Sequence, residues 1–170
     1  MTTLLYSHFD SPVGRLLMAG DEDALRILSF PTGSKTITPG PEWRPADAPF
    51  REVARQLDAY FNGELRAFSL PYRLSGTDFQ KKVWQALAGI PYGETLSYGE
   101  LASRLGAPNA SRAVGAANGN NPIAIILPCH RVIGANGSLT GFGGGLPTKK
   151  FLLHHEAEAS GAGNHQGMLL

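Results

Sequence analysis

The segment "ILPCHRVIG", residues 126–134, sets a thiol, an imidazole and a guanidinium side by side at Cys129, His130 and Arg131, directly after Pro128. Cys129 is the only cysteine among 170 residues. A lone cysteine most often behaves as a small buried hydrophobe. Its company here argues for more, because a neighbouring imidazole or cation favours the thiolate, the nucleophilic form of the group. Pro128 carries no N–H to continue a ladder, so the apolar, β-branched run "IAIIL", residues 123–127, is expected to be a buried strand or extended segment ending at the thiol. Adjacent residues of an extended chain point to opposite sides, so a bridging water is the expected link between Cys129 and His130. Metal chemistry fits poorly. A zinc site gathers three or four ligands, and His8, His154, His155 and His165 show no spacing matched to Cys129. No metal and no cofactor are expected. A Cys–His hydrolase would want a distant base and an oxyanion hole, and nothing in the sequence requires either.

The elements that must hold this segment follow from pattern. "LLYSHF", "GRLLMAG" and "ALRILSF" have strand-like apolar content and are separated by turn sequences, which predicts a small antiparallel sheet. Residues 31–49 hold five of the twelve prolines and are expected to form an irregular surface loop. In "FREVARQLDAYFNGE", Phe50, Val53, Ala54, Leu57 and Tyr60 or Phe61 recur at helical spacing, and Gly63 sits where a helix would stop. A boundary is placed near Gly76. Beyond it, Thr77 with Gln80 and Ser97 with Glu100 have capping-box spacing, each opening a helix. Phe79, Val83, Trp84 and Leu87 form a core stripe on the first of these helices. The second stops at Gly106 before Pro108, and "NASRAVGAANG" starts a third.

Two short helices joined by "GAP" have the form of a helix-turn-helix, or equally of a plain helical hairpin. The second helix is almost entirely Ala, Gly, Ser and Asn around Arg112. Such a surface suits close approach of the backbone, either to a nucleic-acid groove or to a neighbouring helix.

The whole chain bounds these readings. Apolar residues make up 42% and charged residues 17%, which excludes wholesale disorder. No apolar run reaches the roughly 20 residues of a membrane span, and the N-terminus lacks a basic region followed by an apolar one. A single thiol fits a reducing, cytoplasmic location. Net charge is +1, but residues 77–156 carry a net of +3 and residues 1–76 a net of −1, a modest sign of an anionic partner for the later part.

"PCHRV", preceded by "SRAVG" and "GNNP" and followed by "TGFGGG" and "LLHHE", closely resembles the active-site region of the O6-alkylguanine-DNA alkyltransferases, also called methylated-DNA–protein-cysteine methyltransferases. The likeness covers residues 77–156 in uninterrupted order and is looser before them. It implies an α+β fold: a small N-terminal antiparallel sheet with a helix (1–76, a supporting domain), then a mostly helical domain (77–156) holding the helix-turn-helix and the PCHRV loop. Residues 157–170 would form a flexible tail.

The implied activity is direct DNA repair. After base flipping in duplex DNA, the alkyl group on O6 of guanine, or O4 of thymine, moves irreversibly and stoichiometrically to Cys129. The implied partner is double-stranded DNA bearing the lesion, met by a monomer, with cooperative binding left open. By position, Cys129, His130, Glu156 and Tyr98 would be catalytic: His130 draws the thiol proton through a water, Glu156 orients the imidazole, and Tyr98 donates to guanine N3. Read without the resemblance, Glu156 is a solvated carboxylate and Tyr98 a packing residue. Arg112 would fill the gap left by the extruded base, with Ala113 and Gly115 against the groove. Asn121 would tie the cysteine loop to the helical motif, or simply form a turn before Pro122. The carbonyls of Cys129 and Val132 would read the exocyclic amine, and Phe142 and Gly143 would cover the alkyl group. Phe142 stands where many members have tyrosine and Gly143 where some have serine, a pair of departures that would tolerate bulkier adducts. The rival within this resemblance is a non-catalytic lesion-binding protein, in which tryptophan typically replaces the cysteine.

Overall fold

A computed structural model describes residues 3–139 and 142–161. Three strands form an antiparallel meander in the predicted places: β1 (Leu5–Ser11), β2 (Gly14–Gly20) and β3 (Leu25–Ser29). The alternation of β2 is broken, with Leu16 to Gly20 all buried, because both of its faces are covered. A fourth strand, β4 (Arg44–Pro45), pairs parallel with β1, giving the order β3-β2-β1-β4. It lies inside the segment expected to be irregular; only two residues long and ending in proline, it leaves no strand pattern to read.

Helix α1 (Arg51–Phe61) buries Val53, Leu57 and Tyr60, and Gly63 beyond its end takes φ 78°, as a helix-stop glycine does. Helix α2 (Asp78–Leu87) and helix α3 (Tyr98–Arg104) both open with complete capping boxes, Thr77 with Gln80 and Ser97 with Glu100. Each box satisfies two of the orphan N–H groups that a helix start exposes. Between them, β5 (Leu96–Ser97) pairs parallel with β6 (Val132–Ile133). Helix α4 (Ser111–Gly119) follows α3 across a turn in which Gly106 has φ 74°, and packs on both α2 and α3. Helix α5 (Leu146–Ala159) closes the described chain. It runs three residues into the segment expected to be tail, while residues 162–170 lie outside the described residues.

One contiguous core joins the two halves: Leu16, Met18 and Leu28 of the sheet share it with Val83, Trp84, Leu101, Ile123 and Leu152. The run 123–127 is a correction. Ile123 makes one isolated bridge to Leu28, and the chain then turns, Leu127 N donating to Ile123 O at 3.1 Å. Ile125 takes φ 70°, a conformation that costs a β-branched residue of order 1–3 kcal/mol. The physical reason lies in the flanks. Pro122 and Pro128 can donate to no ladder, and the Asn121 side chain captures both ends of the run, Oδ1 accepting from Ile123 N at 3.0 Å and Nδ2 donating to Leu127 O at 2.7 Å.

Candidate active site

The turn at residues 123–127 hands the chain to a single 3-10 turn, Cys129–Arg131, capped by Pro128. All three of its side chains are buried. Behind the sulfur lies a saturated cluster built on Glu156 of α5, which is only 1% exposed. Glu156 Oε2 lies 2.6 Å from His130 Nε2, accepts from the Tyr60 hydroxyl at 2.7 Å and from Arg131 Nη2 at 3.0 Å. Oε1 accepts from Arg131 Nε at 2.8 Å and from Gly93 N at 3.3 Å. Arg131 Nη1 donates to Ile90 O at 2.6 Å. Burial opposes charge on Glu156, but the hydrogen bonds from His130 and Arg131 and the charge of Arg131 outweigh it and hold the carboxyl well below the usual carboxylate range. Burial pushes the His130 imidazole down despite the carboxylate beside it, so it is neutral at neutral pH. Its Nδ1 is buried and has no protein partner among the described residues.

Burial pushes the Cys129 thiol up, and the Asn121 side chain and the Lys149 ammonium pull it back. Arg131, expected from its position in sequence to favour the thiolate, is instead committed to Glu156 and to Ile90 O. The cation that acts on the sulfur is Lys149 of α5, fully buried, with Nζ donating to Val132 O at 2.6 Å. Its charge lies 5.9 Å from the Tyr98 ring centre and 5.8 Å from that of Phe142. Burial lowers its pKa to about 8.

In front of the sulfur is a cleft of ≈ 40 Å³ lined by Cys129, Asn118, Asn121, Phe142, Gly143 and Lys35, among others. It has room for water. Its roof is shared between the two halves of the chain. Lys35 N donates to Gly143 O and Thr32 Oγ1 to Gly144 O, both at 3.1 Å. Gly33 has φ 94°, and any side chain there would run into the backbone of Gly143 to Gly145. Phe30 packs its ring 5.6 Å from that of Phe142.

The expected residues thus fall into two groups. Cys129, Asn121, Phe142 and Gly143 line the cleft, His130 and Glu156 form the buried cluster beside it, and Val132 and Tyr98 meet the buried Lys149; the reading of Glu156 as a solvated carboxylate is excluded by its burial. Arg112 and Ala113 are exposed at the start of α4, away from the cleft, and Gly115 lies against the Tyr98 ring. Three participants were missed. Tyr60 sits in the α1 core stripe and carries no mark of its hydroxyl's destination. Lys149 counts in the sequence only as one basic residue. Asn118, 2% exposed, donates from Nδ2 to Cys129 O at 3.3 Å. An asparagine inside a helix of small residues was the available signal, since asparagine disfavours helix interiors.

The sequence matches the profile of the 6-O-methylguanine DNA methyltransferase ribonuclease-like domain over residues 4–74, and that of the DNA binding domain of the same methyltransferase over 78–158. The chain belongs to this family. A "Methylated-DNA--protein-cysteine methyltransferase" of Methanosarcina acetivorans is 55% identical over 153 residues, 90% of this chain and 98% of that one. The protein of the same name from Mycobacterium tuberculosis is 53% identical over 152 residues, 89% of this chain and 91% of its own. Among solved structures, a Mycobacterium tuberculosis OGT in complex with DNA superposes with a TM-score of 0.86 at 52% identity, covering 91% of this chain and 94% of that one. The family likeness therefore extends over both halves, including the sheet, where the sequence resemblance was looser.

Proposed function

We propose that this protein repairs DNA directly, taking the alkyl group from O6 of guanine in duplex DNA onto the Cys129 sulfur. The observation that carries the reading is a buried thiol on the wall of a cleft, followed in sequence by His130, whose Nε2 is held 2.6 Å from Glu156 and whose Nδ1 has no protein partner among the described residues. Membership of the family and the name of its close relatives support the substrate.

In this reading a water between Cys129 and His130 Nδ1 carries the thiol proton to the imidazole as the substrate docks. The ionised carboxylate of Glu156 stabilises the imidazolium so formed. The thiolate attacks the alkyl carbon, a soft electrophile; the S–C bond forms, the C–O6 bond breaks, and the electron pair passes to the base. Tyr98 supplies a proton at N3 so that guanine leaves uncharged, and its own proton is restored from the imidazolium. Lys149 holds positive charge beside both the thiolate and the Tyr98 ring. The product is a thioether with no leaving group, so each molecule acts once.

Residues 77–156 carry DNA and transfer, and residues 1–76 support them through Tyr60 and the Thr32–Lys35 strap. Arg112, Ala113 and Gly115 meet the minor groove, Arg112 filling the space of the extruded base at a cost in unstacking of a few kcal/mol offset by new contacts. The Cys129 and Val132 carbonyls read the exocyclic amine, and Phe142 and Gly143 lie over the alkyl group and admit bulkier ones. The protein works as a monomer in the reducing cytoplasm, where the thiol stays free.

Intact mass measured after mixing with O6-methylguanine duplex tests the reading. The native chain gains one methyl group and Cys129→Ala gains none; a native chain that binds the duplex without gaining mass is a lesion binder, and the proposal fails.

A further inference from the structure

Glu156 takes more donors than holding one imidazole requires. The oxygen that faces His130 Nε2, Oε2, also accepts from the Tyr60 hydroxyl at 2.7 Å and from Arg131 Nη2 at 3.0 Å. An ionised carboxylate can only accept, so the Tyr60 O–H donates. Among the described residues Tyr60 is the one donor to Glu156 that comes from residues 1–76, the others being His130, Arg131 and Gly93. It is fully buried, and α5 fixes it twice: His155 Nε2 donates to its carbonyl at 2.7 Å, and Glu156, the next residue, receives its hydroxyl.

A carboxylate beside an imidazole favours the protonated ring, and an imidazolium cannot take the thiol proton. Each further donor on the shared oxygen draws negative charge away from His130 Nε2 and weakens that pull. Arg131 does so with a charge of its own, which also bears directly on the ring; Tyr60 does so as a neutral group.

We infer that Tyr60 is a positioning residue of the proton relay: by donating to the carboxylate oxygen that faces His130, it keeps the imidazole neutral in the resting protein and so able to accept the thiol proton. The inference rests on the alkyl-transfer reading above. It gives the N-terminal half a part in setting the base, beyond holding the roof of the cleft.

His130 is faced by Arg131 and Cys129 from its own turn, by Glu156 and Lys149 from α5, and by Tyr60 from α1, whose ring lies 6.1 Å from that of Tyr92. Lys149 titrates near 8, the Cys129 thiol is pushed up by burial and Glu156 stays below the usual carboxylate range. The acid limb of transfer therefore follows the imidazole.

Tyr60→Phe removes the hydroxyl alone, leaving Oε2 its bonds to His130 and Arg131, and leaving the His155 contact to the residue 60 carbonyl. His130 should then titrate about one pH unit higher, the worth of one hydrogen bond to a charged group. Nuclear magnetic resonance of the His130 ring reads this in the free protein. Single-turnover transfer from O6-methylguanine duplex reads it again: the acid limb moves up by the same amount, while the rate above it stays at the native level or rises. Leu57→Ala, one turn earlier in the buried stripe of α1, loosens that helix and leaves both titrations in place. A Tyr60 that only packs would slow transfer at every pH and move neither titration, which overturns the inference, as does a downward shift or an equal shift in Leu57→Ala. A native chain that takes no alkyl group fails the alkyl-transfer reading, and the ring titration still decides whether Tyr60 sets the base.

Discussion

The two sides of Cys129 are built on opposite plans. Behind it, one carboxylate is met by an imidazole, a phenol, two guanidinium nitrogens and a backbone N–H, and both of its oxygens are saturated. In front of it, the Asn118 amide oxygen is buried without a protein partner among the described residues, on the wall of a cleft roofed by backbone that glycines leave bare. Saturation fixes position, since every partner of Glu156 limits where His130 can sit. Unsatisfied groups reserve affinity for whatever enters. Buried charge is ordinarily a poor source of stability, because desolvation offsets the attraction; its use here is to hold one imidazole in place and to tie α1, α5 and the 3-10 turn to each other.

If the rear cluster is the fixed part, removing its centre produces the largest effect on the fold. Glu156→Leu strands the Arg131 guanidinium, 6% exposed, with no counter-charge, and is expected to cost about 3–5 kcal/mol, the usual result of breaking one side of a buried pair. Urea denaturation measures it. A loss below about 1 kcal/mol would show that the cluster does not bear on stability and would dissolve the contrast drawn above.

The next effect sharpens the same contrast through pH. His130 has its pKa lowered by burial, so its contribution to stability is complete above the unfolded imidazole value of about 6.5 and is lost as pH falls through the lower folded value. Glu156 is also lowered, and its contribution is lost only below the unfolded carboxyl value of about 4.3. Stability should therefore begin to fall near pH 6.5 with a slope of at most about 1.4 kcal/mol per pH unit, steepening at lower pH as Glu156 joins. Urea midpoints at pH 7.5 and 5.5 read it, and His130→Gln should flatten that interval. A midpoint that rises on acidification would mean that His130 is protonated in the folded protein.

How much of this could be read from the residues alone depended on whether the deciding interaction was local. Capping boxes at Thr77 and Ser97, the first three strands and the helix stops are written within a few neighbouring positions, and the structure has them where expected. The resemblance carried over by position brought Cys129, His130, Glu156 and Asn121 to one place. Contacts between distant elements were not legible. Tyr60 meets Glu156 across 96 residues of sequence and Thr32 meets Gly144 across 112, and no periodicity encodes the far end of either bond. The sequence order of Arg131 after the thiol also misled, since two residues along a 3-10 turn its guanidinium is committed to the carboxylate. The apolar run 123–127 failed for a further reason. Its β-branched residues signal burial, and burial alone does not distinguish a strand from a turn whose ends are clamped by one asparagine.

The smallest expected change to the fold lies on the outer side of α4. Arg112 is exposed and stands among small residues, so Arg112→Ala should move stability by no more than about 0.5 kcal/mol. In the proposed function its effect belongs to DNA. Removing one cation from a phosphate-lined groove should weaken binding to lesion-bearing duplex and reduce the slope of log affinity against log salt by about 1. Transfer at saturating duplex should also slow, because the space left by the extruded base would no longer be filled. Titration of a labelled duplex at several salt concentrations, alongside thermal melting, separates the two. A variant that melts normally yet binds and reacts like the native chain would remove Arg112 from the interface and leave the exposed small face of α4 as packing surface alone. One that loses both stability and binding would show that the outer face of α4 is tied into the rear cluster, contrary to the division of labour between the two sides of Cys129.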